Sequence, residues 1–268
     1  MRTIALAAAL VATLMVSASA QFQGRRGGRF GYGLPPNAKY DGAFMFCRIM
    51  FSRARDGDGG DWSVDYPRAD VNLSFRLSEL TTTSVSRDSV GEFNHIVIRL
   101  TDPELFRCPF IMMTEVGATY LGDEEATQLR EYLMRGGFLW ADDFWGERAW
   151  EHWVRELEKA LPSGYPIKDL PMDHPIFHVL YDVRELPQIP SINWYFSSGG
   201  GTSERYDSRV PHARGIEDHN GNLMVFITHN TDFGDAFERE GENREYFEHF
   251  AGPGYAVGIN VLLYAMTH

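Results

Sequence analysis

The chain has 268 residues, with 37 acidic against 25 basic side chains and a formal charge of −12. That balance argues against non-specific nucleic-acid binding and against docking on anionic lipid. The length suits a single α/β domain or one domain with sizeable insertions.

Residues 1–20 read as a secretory signal peptide. Arg2 supplies the basic start, and Ile4 to Val16 is an apolar run too short to span a bilayer. Ala18-Ser19-Ala20 is a small-residue cleavage site. The mature chain is expected to begin at Gln21, exported to the periplasm or beyond, with no membrane span. Residues 21–40 form a Gly/Arg/Pro-rich linker, and 41–268 are expected to make one domain.

Ala43 to Met50 is the first expected strand. The Asp56-Gly57-Asp58-Gly59-Gly60-Asp61 stretch reads as a solvated turn, since Pro67 stands where a calcium loop needs its closing Glu. Asp70 to Leu80 is an expected helix. His95 to Leu100 and Cys108 to Thr114 are short apolar runs, read as strands buried on both faces of a parallel sheet. Asp123 is the expected N-cap of a helix carrying Ala126, Leu129, Tyr132 and Leu133 at helical spacing. Gly136-Gly137 ends it, and Phe138 to Ala141 follows as a strand, completing a right-handed βαβ unit. The next helix, Glu147 to Leu161, sets Trp150, Trp153, Val154, Leu157 and Leu161 on one face and stops at Pro162. Residues 163–210 show no regular element. Gly215 to Asp218 and Leu223 to Thr228, joined across Asn220-Gly221, read as a β-hairpin with a tight primed turn. Tyr255 to Met266 is apolar nearly all round, a helix buried on the sheet. The expected class is α/β: a mostly parallel sheet flanked by helices, with a C-terminal β-hairpin and a buried C-terminal helix.

Cys47 and Cys108 both lie beside expected strand starts. A bridge requires Cα atoms within ~4.4–6.8 Å. Two buried, reduced cysteines acting as small apolar residues are the expectation.

Four apolar runs end in polar residues: Arg99, then Thr114-Glu115, Asp142-Asp143, and Thr228-His229-Asn230 followed by Asp232. In open α/β sheets the ligand crevice lies outside the carboxyl ends of the strands, so these clusters should gather along one edge. Neighbours in a strand point to opposite faces. One of Asp142 and Asp143 should therefore face the crevice while the other caps the helix near Glu147. His229 and Asp232 can supply two metal ligands, or a base and its orienter. Glu115 can act as a general base if burial raises its pKa; an ion pair with Arg99 is slightly favoured. His174 is a loop histidine whose ring Asp173 can orient.

The catalytic candidates are thus Glu115, Asp142, Asp143 and His174. The binding candidates are Arg99, Asn230 and Trp194, and the metal candidates are His229 and Asp232. No cofactor is called for beyond a divalent metal at that last pair. No strand end carries a Gly-x-Ser-x-Gly elbow, and neither cysteine occupies one, which argues against a Ser or Cys nucleophile.

Several segments together carry a resemblance. They are Leu129-…-Tyr132-Leu133-…-Gly136-Gly137-Phe138-Leu139-Trp140-Ala141-Asp142-Asp143, Asp173-His174-Pro175-Ile176-Phe177, Thr228 to Asp235, and Gly258-Ile259-Asn260-Val261-…-Tyr264-Ala265. In these the chain resembles the bacterial family called domain of unknown function 4159, over about residues 40–268. The resemblance implies a flavodoxin-like fold similar to class I glutamine amidotransferase-like proteins. It brings no catalytic residues, and the amidotransferase cysteine is missing here. Members are often encoded with membrane and von Willebrand-type modules, which implies a role in envelope assembly or binding.

The favoured reading is a non-catalytic ligand-binding or scaffold domain of the bacterial envelope. Trp62, Trp145, Trp194 and Tyr195 would stack on a sugar or peptide, with an envelope protein or carbohydrate as partner. The alternative is a metal-assisted or general acid/base hydrolase acting on an envelope carbohydrate or peptide. It requires at least three of Asp142, Asp143, His174, His229 and Asp232 to converge.

Overall fold

The computed structural model describes residues 36–161 and 163–268. The expected signal peptide, and residues 21–35 of the expected linker, lie outside the described residues. In chain order the first elements are β1 (Phe46–Ile49), β2 (Ser52–Arg53), α1 (Arg68–Leu80), β3 (His95–Ile98), β4 (Phe110–Thr114), β5 (Thr119–Tyr120), α2 (Asp123–Met134) and β6 (Phe138–Asp142). There follow α3 (Gly146–Ala160), β7 (Lys168–Asp169), α4 (Ile192–Ser197), β8 (His212–Glu217), β9 (Leu223–His229), α5 (Phe233–Glu238), α6 (Arg244–Tyr246) and α7 (Gly252–Thr267).

Seven strands form one sheet in the order β3-β1-β4-β6-β9-β8-β7. The first five run parallel, and β8 and β7 close the sheet antiparallel. Alternation along each strand divides the core. Phe46, Phe110, Met112, Phe138, Trp140 and Phe226 pack with α1, α5 and α7 on one face. Cys47, Ile111, Met113, Leu139, Val225 and Ile227 pack with α2 and α3 on the other. Helices on both faces explain why the strands read as unbroken apolar runs.

Trp140 is fully buried and ties this core to the sheet's carboxyl edge. Its ring packs against Phe226 and Phe233, centroids 5.9 and 5.4 Å away. Its Nε1 donates to the Thr228 hydroxyl at 2.8 Å, and that hydroxyl in turn donates to Asp142.

The structure corrects five expectations. Residues 163–210 are not without regular elements, since they hold β7 and α4. Cys47 and Cys108 are bonded, with Cα atoms 6.2 Å apart. β1 and β4 are sheet neighbours, so residues 61 apart in sequence meet. The hairpin loop is wider than a two-residue primed turn: the Asp218 carboxylate accepts from the N–H groups of Asn220 and Asn222, both at 2.8 Å, and Gly221 takes φ 86°. Gly122, not Asp123, is the N-cap of α2, because Glu125 reaches back to accept from the Gly122 N–H at 2.9 Å. Residues 56–61 are not a freely solvated turn: the Asp58 N–H donates to the Gly117 carbonyl at 2.8 Å, and residues 57–61 are half-buried.

The packed unit begins at Asn37. There the side-chain amide pairs with the outer edge of β3, donating to the Val97 carbonyl at 2.9 Å and accepting from the Val97 N–H at 3.0 Å.

Candidate functional site

The carboxyl ends of β4, β6 and β9 open on a crevice of about 540 Å³ whose lining includes Asp65, Glu115, Asp143, Trp145, Asp232, Asp235 and Glu238. Among the described residues, the non-glycine residues with positive φ are Asp65 (61°), Glu115 (55°), Asp143 (55°) and Asn230 (62°). Glu115, Asp143 and Asn230 each directly follow a strand, so three strands turn off in the left-handed conformation at this one edge. Such backbone costs roughly 1–3 kcal/mol per residue, and it clusters where structure serves a site.

Asp65 reaches the crevice through a buried brace. The Arg48 Nε on β1 donates to both Asp70 carboxylate oxygens, at 2.9 and 3.0 Å. Its Nη1 donates to the carbonyls of Trp62 and Val64, at 3.3 and 3.2 Å, holding the loop that presents Asp65. The Asp65 carboxylate lies so close over Gly234 that a Cβ there would collide with it. Asp143 Oδ1 accepts from Trp145 Nε1 at 3.1 Å. Asp232 caps α5, its Oδ1 accepting from the Asp235 N–H at 2.7 Å.

One carboxylate oxygen from each of Asp65, Asp143 and Asp232 lies within 4.8 Å of the others, and the same holds for Asp65, Asp235 and Glu238. Asp65 Oδ2 is buried and accepts no hydrogen bond. Burial, with like charge close by, holds Asp65, Asp143 and Asp232 well above the usual carboxylate range.

The other expected residues fall in different places. Asp142 points into the protein. Its Oδ2 accepts from the Phe233 and Gly234 N–H groups at 2.9 and 3.2 Å, so it holds α5, not the helix near Glu147. The N–H of Gly146, at the start of α3, donates instead to Asn230 Oδ1 at 2.8 Å, and the Asn230 Nδ2 donates to the Val210 carbonyl at 2.9 Å. Asn230 therefore ties the start of α3 to Val210.

His229 is not part of either carboxylate grouping. Its Nε2 donates to the Gly146 carbonyl at 3.1 Å and its Nδ1 accepts from Arg214 at 3.2 Å, which occupies both nitrogens. The ring packs against both Phe144 and Trp150, centroids 4.8 and 5.3 Å away, and burial drives its pKa down to about 3.

His174 lies at the opposite end of the sheet. Its Nδ1 accepts from the Ile176 N–H, and its ring sits 6.1 Å from that of Tyr264, whose hydroxyl accepts from the N–H of Leu223, the first residue of β9. Arg99 is exposed; its N–H donates to Asp102, and among the described residues no ion pair joins it to Glu115. Trp194 stands on α4, 37 % exposed and outside the crevice lining.

Glu115 does border the crevice. Gly59 (φ 129°) and Gly60 press so closely on its carboxylate that a side chain at either would collide with it. Burial raises the Glu115 pKa to about 7, against the opposing pull of Arg205 and Arg53.

Asp65, Asp235 and Glu238 were not among the expected site residues. Asp232, Asp235 and Glu238 recur every third residue, a spacing that puts them on one helix face and was a usable signal. Asp65 carried none, since only the Arg48 brace brings it in.

These shifts set a pH dependence. Burial, outweighing the bonds from Thr228, Phe233 and Gly234, raises Asp142 to about 7, and burial raises Asp235 to about 6. A carboxyl raised above its unfolded value binds its proton more tightly when folded. The resulting stability is complete below the unfolded pKa and is lost as pH rises through the folded one. The metal-free protein should therefore lose stability from about pH 4 to pH 7, by about 1.4 kcal/mol per pH unit for each such group. Urea denaturation in EDTA across that range checks it; a flat or rising profile contradicts it.

A family model described as a domain of unknown function, DUF4159, matches residues 50–266. No curated protein matches the chain.

Proposed function

We propose, from the premise that this chain belongs to the DUF4159 family, that it is an exported domain that binds a divalent cation in the crevice and, through it, a polar envelope ligand. The observation that carries this is the convergence of Asp65, Asp143 and Asp232, buried and with oxygens within 4.8 Å of one another. Three like charges in that space are costly unless protons or a cation neutralise them. An all-oxygen donor set suits Mg²⁺, Ca²⁺ or Mn²⁺ over zinc. Asp143 and Asp232 come from the expected set and Asp65 completes it. Tyr66 and Trp145 line the same crevice and offer aromatic surface to a sugar or peptide. The disulfide supports export, since such bonds persist in oxidising compartments.

The fold is read as a degenerate relative of the flavodoxin-like amidotransferases. Its mostly parallel sheet supports this, as does Glu115 turning off β4 in left-handed conformation where a nucleophile would stand.

A second reading, metal-assisted hydrolysis, is favoured by Glu115 alone. A carboxyl that titrates near neutrality is suited to take a proton from water beside a bound cation.

The test is a thermal melt at pH 7.5 of EDTA-stripped protein with each cation added. Binding at 100 times Kd contributes about 2.7 kcal/mol, which should raise Tm by roughly 5–10 °C. Asp143→Asn should abolish the rise. If none of the three cations shifts wild-type Tm, the reading fails. Binding of purified cell-wall polymer with and without EDTA then tests the ligand half.

A further inference from the structure

We propose that the crevice takes two divalent cations, with Asp65 as the ligand common to both. This rests on the cation-binding reading above and extends it to a pair.

The two carboxylate groupings are built by different parts of the fold and overlap only at Asp65. Asp143 follows β6 and Asp232 precedes α5, whereas Asp235 and Glu238 lie on one face of α5 itself. Within each grouping the oxygens lie within 4.8 Å of one another. Oxygens on opposite sides of one ion are separated by about twice the metal–oxygen distance, ~4.1 Å for Mg²⁺ and ~4.6–5.2 Å for Ca²⁺. Each grouping is thus the size of one coordination shell.

A second observation points to missing ligands. Asp65 is 8 % exposed, and its Oδ2 is buried with no hydrogen-bond donor. A buried carboxylate oxygen without a donor is costly. Set among four further carboxylates, it lies over Gly234, in space that a side chain there would fill.

Charge points the same way. Asp65, Asp143, Asp232, Asp235 and Glu238 are five carboxylates. Arg239 is shared among three acids: its Nε lies 2.8 Å from Glu238 and 3.6 Å from Asp235, and its Nη1 donates to Glu242 at 2.8 Å. Arg48 is already paired with Asp70, and Arg205, which also lines the crevice, pairs with Asp58. The carboxylates gathered here outnumber the cations that face them, an excess that divalent ions would neutralise. Paired divalent ions ~3.5–4 Å apart commonly share a bridging ligand of this kind.

The test is a Mn²⁺ titration of the EDTA-stripped chain, followed by calorimetry and electron paramagnetic resonance. Two equivalents with an exchange-coupled spectrum are expected. Glu238→Gln should weaken the second equivalent at least tenfold and leave an uncoupled six-line signal from the first. A single equivalent in the wild type, unaffected by Glu238→Gln, overturns the pair and leaves the single-cation reading standing. Two equivalents without coupling, or two that survive Glu238→Gln, overturn the shared Asp65. No binding at all overturns both readings.

Discussion

Asp70→Asn is expected to cost about 3–5 kcal/mol of stability, the usual result of removing one partner from a buried ion pair. Arg48 and Asp70 are both fully buried, and both Asp70 oxygens accept from the guanidinium. The amide would leave the guanidinium's charge without its counter-ion. The double change Arg48→Met with Asp70→Leu should recover most of the loss, because apolar side chains fill similar space with no charge to desolvate. It should not recover cation binding. Arg48 also holds the Trp62 and Val64 carbonyls, so without it the loop presenting Asp65 loses its anchor. Urea denaturation and the Mn²⁺ titration together read both effects. A loss below about 1 kcal/mol in Asp70→Asn would contradict the argument.

Replacing Cys47 and Cys108 by Ser should cost about 4 kcal/mol, on the chain-entropy estimate for a loop closed across 61 residues. Both positions are buried, between the sheet and the helices of the α2–α3 face. The effect is to be measured as a guanidinium midpoint with and without reductant, with thiol alkylation confirming that the bond is open. A wild-type midpoint unmoved by reductant would count against it.

The parallel sheet was readable because burial on both faces removes the polar alternation from a strand. His95–Ile98, Phe110–Thr114 and Phe138–Asp142 therefore stand out as apolar blocks. Helices α2 and α3 were readable from period and terminators. What escaped was long-range. The disulfide depends on β1 lying beside β4, and the Arg48–Asp70 brace joins a strand to the next helix. Strand-end position placed Glu115, Asp143 and Asp232 at one edge. Sequence adjacency could not tell which neighbour faces inward. Asp142 and Asn230 instead bond the starts of α5 and α3, and His229 is locked between Gly146 and Arg214. Polar residues at strand ends serve helix starts as readily as ligands, and only their partners separate the two roles.

The Asn37 amide beside Val97 has a consequence for self-association. A rim strand offers its free N–H and C=O to any extended chain that approaches, which is the usual seed of edge-to-edge aggregation. On β3 the Val97 pair is already occupied by a side chain that imitates a strand but carries no further residues to extend the ladder. A single asparagine thus acts as a stopper, and an Asp there would place a second acceptor against the Val97 carbonyl and leave that rim open to recruitment.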